Sequence, residues 1–584
     1  MPTTASAPAR RVLAAVALAA VFTTPLGAQS FDPAKDSPLT LLTAPPDPIA
    51  YLERRNQGFS LANAQNWAGA EPILEQLTRD YPRDGVNWVM LGSVKSRLDK
   101  PREAAAAYEK AASIIGWGDA YNARMYAAAN HLAAGDRPRA LELLRQYVFD
   151  DHTLLRQRLY DLREFAALRN DPEFRRITGH PDTTGWSRTE GWRHDIDYLY
   201  EELQRTSPDY RGRPLPAEVT RRYEELKRRV PQLSDAQLYL GMSRMLAPMK
   251  AGHTSLFQPT GSRYLPVRFY VFPEGLYIIG AEAGSEPLVG SRVVTIGTLP
   301  ADEVMKRFDD AHSVDGPQVY LWQMAGLAAT HVLAGVGAIT RADTVSLVVE
   351  GPTGARRTVS LARLAEPPAG RQDRMVAPRG VPTPLYLSRL AEMHWELPML
   401  EHDAMYVQMN NVVNDSDETL AAFGRRLWTV LQEKKTHHLI LDLRHNNGGN
   451  TSLYTELMRT IIAFSREPNH DVYALIGRRT YSATGNFVTD LERWANPVFV
   501  GEPSGECCNF HGDPSHVTLP YSRIEGELSV VRWNLSRNVF DERHEMVPHM
   551  PVVLSAKDYF AGQDPALDAV FRMIERVRTA ERSR

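Results

Sequence analysis

Cysteine is almost absent from this sequence of 584 residues, whose two cysteines, Cys507 and Cys508, are adjacent. A framework of several disulfides and a cysteine-rich zinc site are therefore both excluded. An excess of basic charge is also missing, because 67 Lys and Arg residues face 70 Asp and Glu residues, which gives a net charge of −3. This balance argues against general binding to a phosphate backbone, so we predict no nucleic-acid partner.

Long hydrophobic runs are missing as well. The apolar run Val12–Phe22 has eleven residues, whereas a helix needs about 20 apolar residues to cross a bilayer. Arg10 and Arg11 precede the run and small residues follow it up to Ala28, a pattern typical of a secretory signal peptide. We predict a signal peptide over residues 1–28, with cleavage after Ala28, a periplasmic or secreted mature protein, and no stable membrane insertion after cleavage.

A helical repeat is predicted over residues 48–180. Six positions have the offsets of a tetratricopeptide unit, in which small residues let helices approach and large ones fill the gaps between units: Trp88, Leu91, Gly92, Ala104, Tyr108 and Ala111. About three units resemble tetratricopeptide repeats, and three are enough for a self-supporting stack. The region is either a docking surface for a protein partner or a helical spacer, and the sequence does not separate the two.

The rest of the chain predicts three further regions of a multidomain protein. Residues 186–262 have the periodicity of amphipathic helices. Residues 263–365 are β-rich, with a strand, a turn at Gly297 and a helix that fit a PDZ-like module, and a helical insertion near 316–335. Residues 376–584 alternate strands with helices, which predicts a parallel sheet flanked by helices.

Candidate chemistry lies at two strand-to-helix junctions of this last region. In LDLRHNNGGN, Gly448 and Gly449 have no Cβ to keep a developing oxyanion away from their amides. In RRTYSATGNF, Ser482 stands at a predicted helix start, where the N–H of Ala483 is a further candidate donor to an oxyanion. The alternative for Ser482 is an N-cap, and these local patterns alone do not decide between the two.

The motifs LDLRHNNGG, TYSATGNF and VGEPSG, together with AGHTSL and AGQDPALDAV, resemble in order and spacing the C-terminal processing (tail-specific) serine peptidases, including their tricorn-like branch. The resemblance covers residues 186–584. It implies a crotonase-like α/β catalytic domain, a PDZ-like module, and peptide-bond hydrolysis by a serine nucleophile. With the predicted signal peptide, the first functional hypothesis is an exported serine endopeptidase that cleaves unfolded proteins or peptides.

The resemblance also implies roles for individual residues. Ser482 matches the nucleophile. The tail-specific branch has a lysine base in a GEPxxGKG-like context, but this chain reads GEPSGECCNFHGD there. The tricorn-like branch implies His253 as the base and a glutamate near the C-terminus, for which Glu542 is the best match. No cofactor and no metal are implied.

Several alternatives stay open. The same fold also serves as a binding protein, so a catalytically inactive scaffold for peptides or hydrophobic ligands is the second functional hypothesis. Rival bases to His253 are His445, His511, His516, His544 and His549. His511 and His516 lack a third ligand at a clear spacing, which argues against a metal site. The sequence does not decide whether Cys507 and Cys508 form a disulfide.

Overall fold

Helices fill the first part of this computed structural model, which describes residues 48–114, 122–340, 344–367 and 375–582. From α1 to α5, consecutive helices pack against each other in chain order. They are α1 (Pro48–Asn63), α2 (Trp67–Asp80), α3 (Gly85–Arg97), α4 (Pro101–Ala112), α5 (Ala123–Ala133) and α6 (Arg137–Phe149).

The small residues of the predicted repeat lie where two helices come close. A Cβ on Gly92 of α3 would lie 2.9 Å from the ring of Tyr108 in α4, so glycine is needed for this contact. Ala104 and Ala111 are fully buried. The predicted helical character of the region is confirmed, and the assignment to the tetratricopeptide class stays a prediction.

The chain divides into two compact units, Met1–Ala140 and Leu141–Arg584. The predicted repeat region, 48–180, therefore extends beyond the first unit. Residues after 140 belong to the second unit because their polar groups bond within it. Arg156 pairs with Glu201 at 2.8 Å, and the Gln157 amide donates to the carbonyl of Thr518 at 2.7 Å.

The predicted signal peptide, residues 1–28, lies outside the described residues. Within the described ranges, none of the helices has both the length and the apolar character that crossing a bilayer requires.

The second unit begins with helices and continues into an antiparallel sheet that carries a helical insertion. The sheet has the strand order β2-β3-β4-β6-β7, with β5 on β4. The elements are α7 (Pro172–Thr178), α8 (Arg188–Thr206), α9 (Ala217–Arg229), α10 (Asp235–Leu246), β1 (Ser255–Leu256), β2 (Val267–Phe272), β3 (Gly275–Ala281), β4 (Arg292–Ile296), β5 (Leu299–Pro300), α11 (Ala301–Asp309), α12 (Pro317–Gln323), α13 (Thr330–Gly335), β6 (Thr344–Glu350) and β7 (Arg356–Ala362).

The last region alternates strands and helices, as the sequence predicts. Its six-stranded sheet has the order β15-β12-β11-β10-β9-β8, parallel except for β8. The elements are α14 (Leu385–Ser388), β8 (His394–Met399), β9 (Ala404–Met409), α15 (Leu420–Lys434), β10 (His438–Asp442), α16 (Thr455–Arg466), β11 (Asp471–Ile476), α17 (Ala483–Trp494), β12 (Val498–Gly501), β13 (Asn509–Thr518), β14 (Glu525–Asn534), β15 (Met550–Pro551), α18 (Ala556–Phe560) and α19 (Pro565–Arg582).

Both faces of this parallel sheet are covered. Leu439 and Leu441 of β10 belong to one core with α15, α16 and α17, whereas Ile440 belongs to a second core with α19. Successive side chains of a strand point to opposite faces, so a sheet covered on both sides requires the continuous apolar runs seen here.

A three-stranded antiparallel sheet, with the order β1-β14-β13, brings a distant segment to the carboxyl edge of this sheet. Because β1 pairs with β14, the residues that precede β1 lie beside the β13–β14 hairpin. This pairing places His253 near the loops that follow β11 and β12.

Candidate active site

Ser482 lies in a sharp turn between β11 and α17. Its φ of 56° and ψ of −125° are unusual for a residue with a side chain, and such strain is often found at functional sites. The Ser482 side chain makes no N-cap hydrogen bond to α17. The structure therefore does not support the N-cap alternative, and the hydroxyl is free for another partner.

That partner is His253, whose Nε2 lies 2.9 Å from Ser482 Oγ. On the other side of the ring, Nδ1 lies 3.1 Å from the backbone carbonyl of His511. A carbonyl oxygen only accepts hydrogen bonds, so the proton is on Nδ1 and Nε2 is left to accept the Ser482 proton.

The surroundings keep His253 neutral and fixed in orientation. Its ring stacks on Tyr481, with centroids 4.8 Å apart, and Tyr481 Oη lies 3.2 Å from Nδ1. Burial lowers the pKa of His253 below its ordinary value, because a buried site disfavours the charged imidazolium. A neutral imidazole in contact with a hydroxyl has the arrangement of a general base and its nucleophile.

A buried carboxyl group completes the arrangement, and it belongs to Glu506. Its side chain is fully buried, with Oε1 3.6 Å from His253 Nδ1, and Oε2 accepts the Ser482 N–H at 2.8 Å. Burial raises the pKa of Glu506 to about 8. A single carboxyl group therefore contacts the backbone of the serine and lies next to the histidine ring.

Glu542, the predicted third residue, lies outside this group. Its side chain is exposed, in a loop between β14 and β15. The neighbouring Asp541 and Arg543 hold this loop by bonding each other at 2.9 Å, and Arg543 also bonds Glu492 at 2.7 Å. Glu542 thus lies in a solvated run of charge, and the position near His253 is occupied by Glu506.

The other histidines have other surroundings. His511 Nε2 lies 2.7 Å from Asp209, and His549 Nδ1 accepts the N–H of Phe499 at 3.0 Å. His445 stacks on Tyr386, and His516 and His544 are exposed. The hydrogen bonds that the structure gives Ser482 Oγ in the described chain include no histidine other than His253.

Of the predicted oxyanion residues, Gly448 packs against Ser482, and Gly449 packs against Val412. A Cβ on Gly448 would lie 2.6 Å from Ser482 Cβ, and one on Gly449 would lie 2.2 Å from the carbonyl of Val412. The Gly448 N–H donates to Asn446 Oδ1 at 3.1 Å. Gly448 therefore provides space beside the nucleophile, and the N–H groups of Gly449 and Ala483 remain the candidate donors.

Cys507 and Cys508 are joined by a disulfide and are both fully buried. The pair directly follows Glu506 in the chain. The Cys508 N–H donates to the hydroxyl of Thr489 in α17 at 2.9 Å. This hydrogen bond connects the chain beside Glu506 to α17, the helix that follows Ser482.

One group of three carboxylates in the described residues has the spacing of a metal site. It consists of Glu71, Glu75 and Glu103. The ammonium group of Lys95 bonds all three, at 3.1 Å to Glu71 and 2.8 Å to Glu75. A lysine thus supplies the cation there, and these carboxylates need no metal ion.

Sequence reasoning missed Glu506, although a signal was present. Glu506 directly follows GEPSG, the segment in which the tail-specific branch has its lysine base. The segment lacks that lysine, and the acidic residue beside the position is the signal that points to the carboxyl group of the site. The neighbouring aspartate Asp315, from the helical insertion, was also missed because it is more than 160 residues from Ser482 in the chain.

No family model matches the chain, and no curated protein matches it. Among solved structures, mature CPAF complexed with lactacystin is 13% identical, with a TM-score of 0.50, over 66% of this chain and 98% of that chain. The photosystem II D1 C-terminal processing protease is 15% identical, with a TM-score of 0.31, over 64% of this chain and 98% of that chain. The tricorn protease is 12% identical, with a TM-score of 0.32, over 67% of this chain and 37% of that chain.

At this level of identity the similarity to CPAF establishes a shared fold and nothing finer. The match includes nearly the whole of that protein and two thirds of this one. This chain therefore contains the fold of mature CPAF, which confirms, at the level of the fold, the predicted resemblance to the C-terminal processing serine peptidases.

Proposed function

We propose that this protein is an exported serine endopeptidase that hydrolyses peptide bonds in unfolded proteins or peptides. Ser482 is the nucleophile, His253 is the general base and Glu506 is the carboxyl group beside that base. The observation that carries the proposal is the 2.9 Å contact between Ser482 Oγ and His253 Nε2 at a strained strand-to-helix turn. The shared fold is consistent with this function.

In the first step, Ser482 Oγ attacks the carbonyl carbon of the scissile bond while its proton moves to His253 Nε2. The imidazolium that forms keeps its Nδ1 proton on the carbonyl of His511. Its positive charge is next to Glu506, 3.6 Å away, so an ionised carboxylate there stabilises it.

The tetrahedral intermediate carries its negative charge on the former carbonyl oxygen. The N–H of Ala483 and that of Gly449 are the proposed donors to this oxygen. The Ser482 N–H already donates to Glu506, so it does not serve this role. One preorganised donor of this kind contributes about 10²–10³ in rate.

Collapse of the intermediate breaks the carbon–nitrogen bond and leaves an ester on Ser482. The leaving amine takes the proton from His253 Nε2. A water molecule then gives a proton to the same nitrogen and attacks the ester carbon. As the bond from that carbon to Ser482 Oγ breaks, His253 returns the proton to Oγ, which releases the acid product and restores the hydroxyl. One neutral imidazole serves both halves of the reaction.

The remaining parts of the proposal concern the whole chain. The apolar run before Ala28 and the predicted cleavage there support export. The β-rich sheet, with its helix α11, fits a PDZ-like module, a class that binds extended peptides by strand addition. The helices of the first unit fit tetratricopeptide repeats, which would present a surface to a protein partner.

The test is covalent labelling of the full chain by a fluorophosphonate, which reacts with activated serines. We expect an adduct on Ser482, found by peptide mapping, and complete loss of labelling in Ser482→Ala and in His253→Ala. Ser465→Ala is the matched control, because Ser465 lies in α16 and bonds the carbonyl of Ile462. That variant should label like the wild type.

A second readout is cleavage of an unfolded protein such as reduced, alkylated casein. If the folded wild-type chain neither labels nor cleaves at high enzyme concentration, the endopeptidase proposal is wrong. Labelling at another serine, retained in Ser482→Ala, would reassign the nucleophile.

A further inference from the structure

The segment that precedes His253 is held by two side chains at the start of the helical insertion, in the loop between α11 and α12. The Ala251 N–H donates to Ser313 Oγ at 2.9 Å, and the Gly252 N–H donates to Asp315 Oδ2 at 2.6 Å. Both side chains are buried. Two consecutive backbone N–H groups are thus fixed directly before the histidine, so the insertion sets where His253 lies.

Asp315 also neighbours Glu506. Its side chain is 3% exposed and that of Glu506 is 0% exposed. Two adjacent carboxyl groups out of water do not both ionise, because each disfavours the charge of the other. In this pair, burial and the charge of Glu506 both raise the pKa of Asp315 well above its ordinary value.

The hydrogen-bond donors show which member carries the negative charge. Glu506 accepts the N–H of Ser482, and the hydroxyl of Tyr481 also favours its ionised form. Asp315 faces one backbone donor, the Gly252 N–H. Since donors stabilise a carboxylate, the negative charge that forms as the pH rises through about 8 belongs on Glu506.

Other titratable groups around Asp315 do not alter this assignment. His511 Nδ1 lies 4.0 Å from Asp315 Oδ1, beyond hydrogen-bond distance, and its Nε2 is bonded to Asp209. The cavity that Asp315 helps to line holds charged groups of both signs: Glu218, Arg222, Lys250, Asp309 and Asp310.

We propose that Asp315 is a positioning residue that acts as a neutral carboxylic acid: it holds the backbone before His253 and leaves Glu506 as the single carboxylate of the pair. The proposal rests on the proposed function of the Ser482–His253 site. It gives Asp315 and Glu506 different requirements. Asp315 needs only its hydrogen-bonding atoms, whereas Glu506 needs its negative charge.

Replacing Asp315 with asparagine tests the two requirements separately, because an amide keeps the hydrogen-bonding atoms and cannot carry the negative charge. Asparagine has the shape of a neutral aspartic acid, accepts the Gly252 N–H and donates toward Glu506. We expect Asp315→Asn to label with a fluorophosphonate within about threefold of the wild-type rate, and Asp315→Ala to label at least about tenfold more slowly. Asp195→Ala is the matched control, since Asp195 is another buried aspartate that accepts backbone N–H groups, from Tyr521 and Ser522. It should label at nearly the wild-type rate at a temperature where it is folded.

A second measurement does not depend on activity. In the unfolded chain Asp315 ionises near pH 4, whereas in the folded chain it keeps its proton. Folding therefore binds one proton at this residue, and the wild type loses stability as the pH rises from about 4 toward the folded pKa. Asparagine has no such proton. We expect Asp315→Asn to gain stability over the wild type by about tenfold in the unfolding equilibrium constant for each pH unit in that window.

The outcomes are distinct. If Asp315→Asn labels as slowly as Asp315→Ala, or if its stability has the same pH dependence as the wild type, the neutral-acid proposal is wrong while the peptidase proposal stands. If the wild type does not label at all, the proposed function fails, and the stability measurement still decides the protonation of Asp315.

Discussion

Glu506 and Glu542 are the same residue type in opposite environments. Glu506 is 0% exposed, bonds the backbone of Ser482 and lies near the ring of His253. Glu542 is exposed in a charged loop whose neighbours, Asp541 and Arg543, bond each other. Water screens a charge in such a loop, whereas a buried charge acts strongly on its neighbours.

This contrast shows that burial, more than sequence position, determines which carboxyl group is available for chemistry. Both glutamates follow Ser482 in the chain and both lie near conspicuous motifs. Of the two, Glu506 lies where its ionisation alters the free energy of an imidazolium at His253. The predictions below repeat the comparison with matched residues, one in the buried site and one exposed.

The largest effect is expected from adding a side chain beside the nucleophile, where there is no room for one. Gly448→Ala would place a Cβ 2.6 Å from Ser482 Cβ at a φ of +104°. We expect no detectable fluorophosphonate labelling, because the backbone beside the nucleophile has to shift. We also expect a loss of about 2–4 kcal/mol in the free energy of unfolding, measured by urea denaturation.

Gly354→Ala is the control for backbone strain. Gly354 has a φ of +82°, but nothing lies within 4 Å of its added Cβ. This variant should lose only about 1 kcal/mol and label normally. Normal labelling of Gly448→Ala would contradict the packing of Gly448 against the nucleophile.

The second prediction concerns charge. Glu506→Gln removes the carboxylate and places an amide near the Nδ1 proton of His253. We expect the labelling rate to fall about 10²-fold. Loss of the aspartate in a Ser-His-Asp triad costs about 10⁴ through the wrong tautomer, but here the carbonyl of His511 still fixes the tautomer. Labelling rates at pH 8.5 measure the effect.

Glu542→Gln is the matched variant and should label at the wild-type rate, since a screened charge contributes little. If the two variants behave alike, the assignment of Glu506 to the site is wrong. If Glu542→Gln is the slower one, the sequence-based choice of Glu542 is reinstated.

Much of the fold was predictable because it depends on local pattern. The sequence predicts a strand at 404–410 and a buried strand at 438–444, and β9 and β10 are found there. The positions of Ser482 and His253 were predictable as motifs. Their contact was not a consequence of local pattern, because it depends on the pairing of β1 with β14.

The carboxyl group of the site, Glu506, could not be predicted from local sequence pattern. The choice between Glu506 and Glu542 depends on burial, which is a property of the folded chain. The role of Asp315 depends on an insertion that folds back to the loop before His253. A charged run such as DERHE is conspicuous in a sequence, but its charges are screened by water. A single buried acidic residue has a stronger electrostatic effect on the groups around it.

The smallest effect is expected from a change of pH. The pH dependence of labelling distinguishes the ionisation of His253 from that of Glu506. Burial lowers the pKa of His253 below 6.5 and raises the pKa of Glu506 to about 8. The base is thus already neutral at pH 7, while the carboxylate forms as the pH rises through 8. We expect labelling to increase about tenfold between pH 7 and pH 9, after correction for hydrolysis of the probe. Glu506→Gln should lose this rise, and Glu542→Gln and Asp315→Asn should keep it. A midpoint near 6.5 that persists in Glu506→Gln would instead assign the dependence to His253 and show that the buried carboxyl group does not control the base.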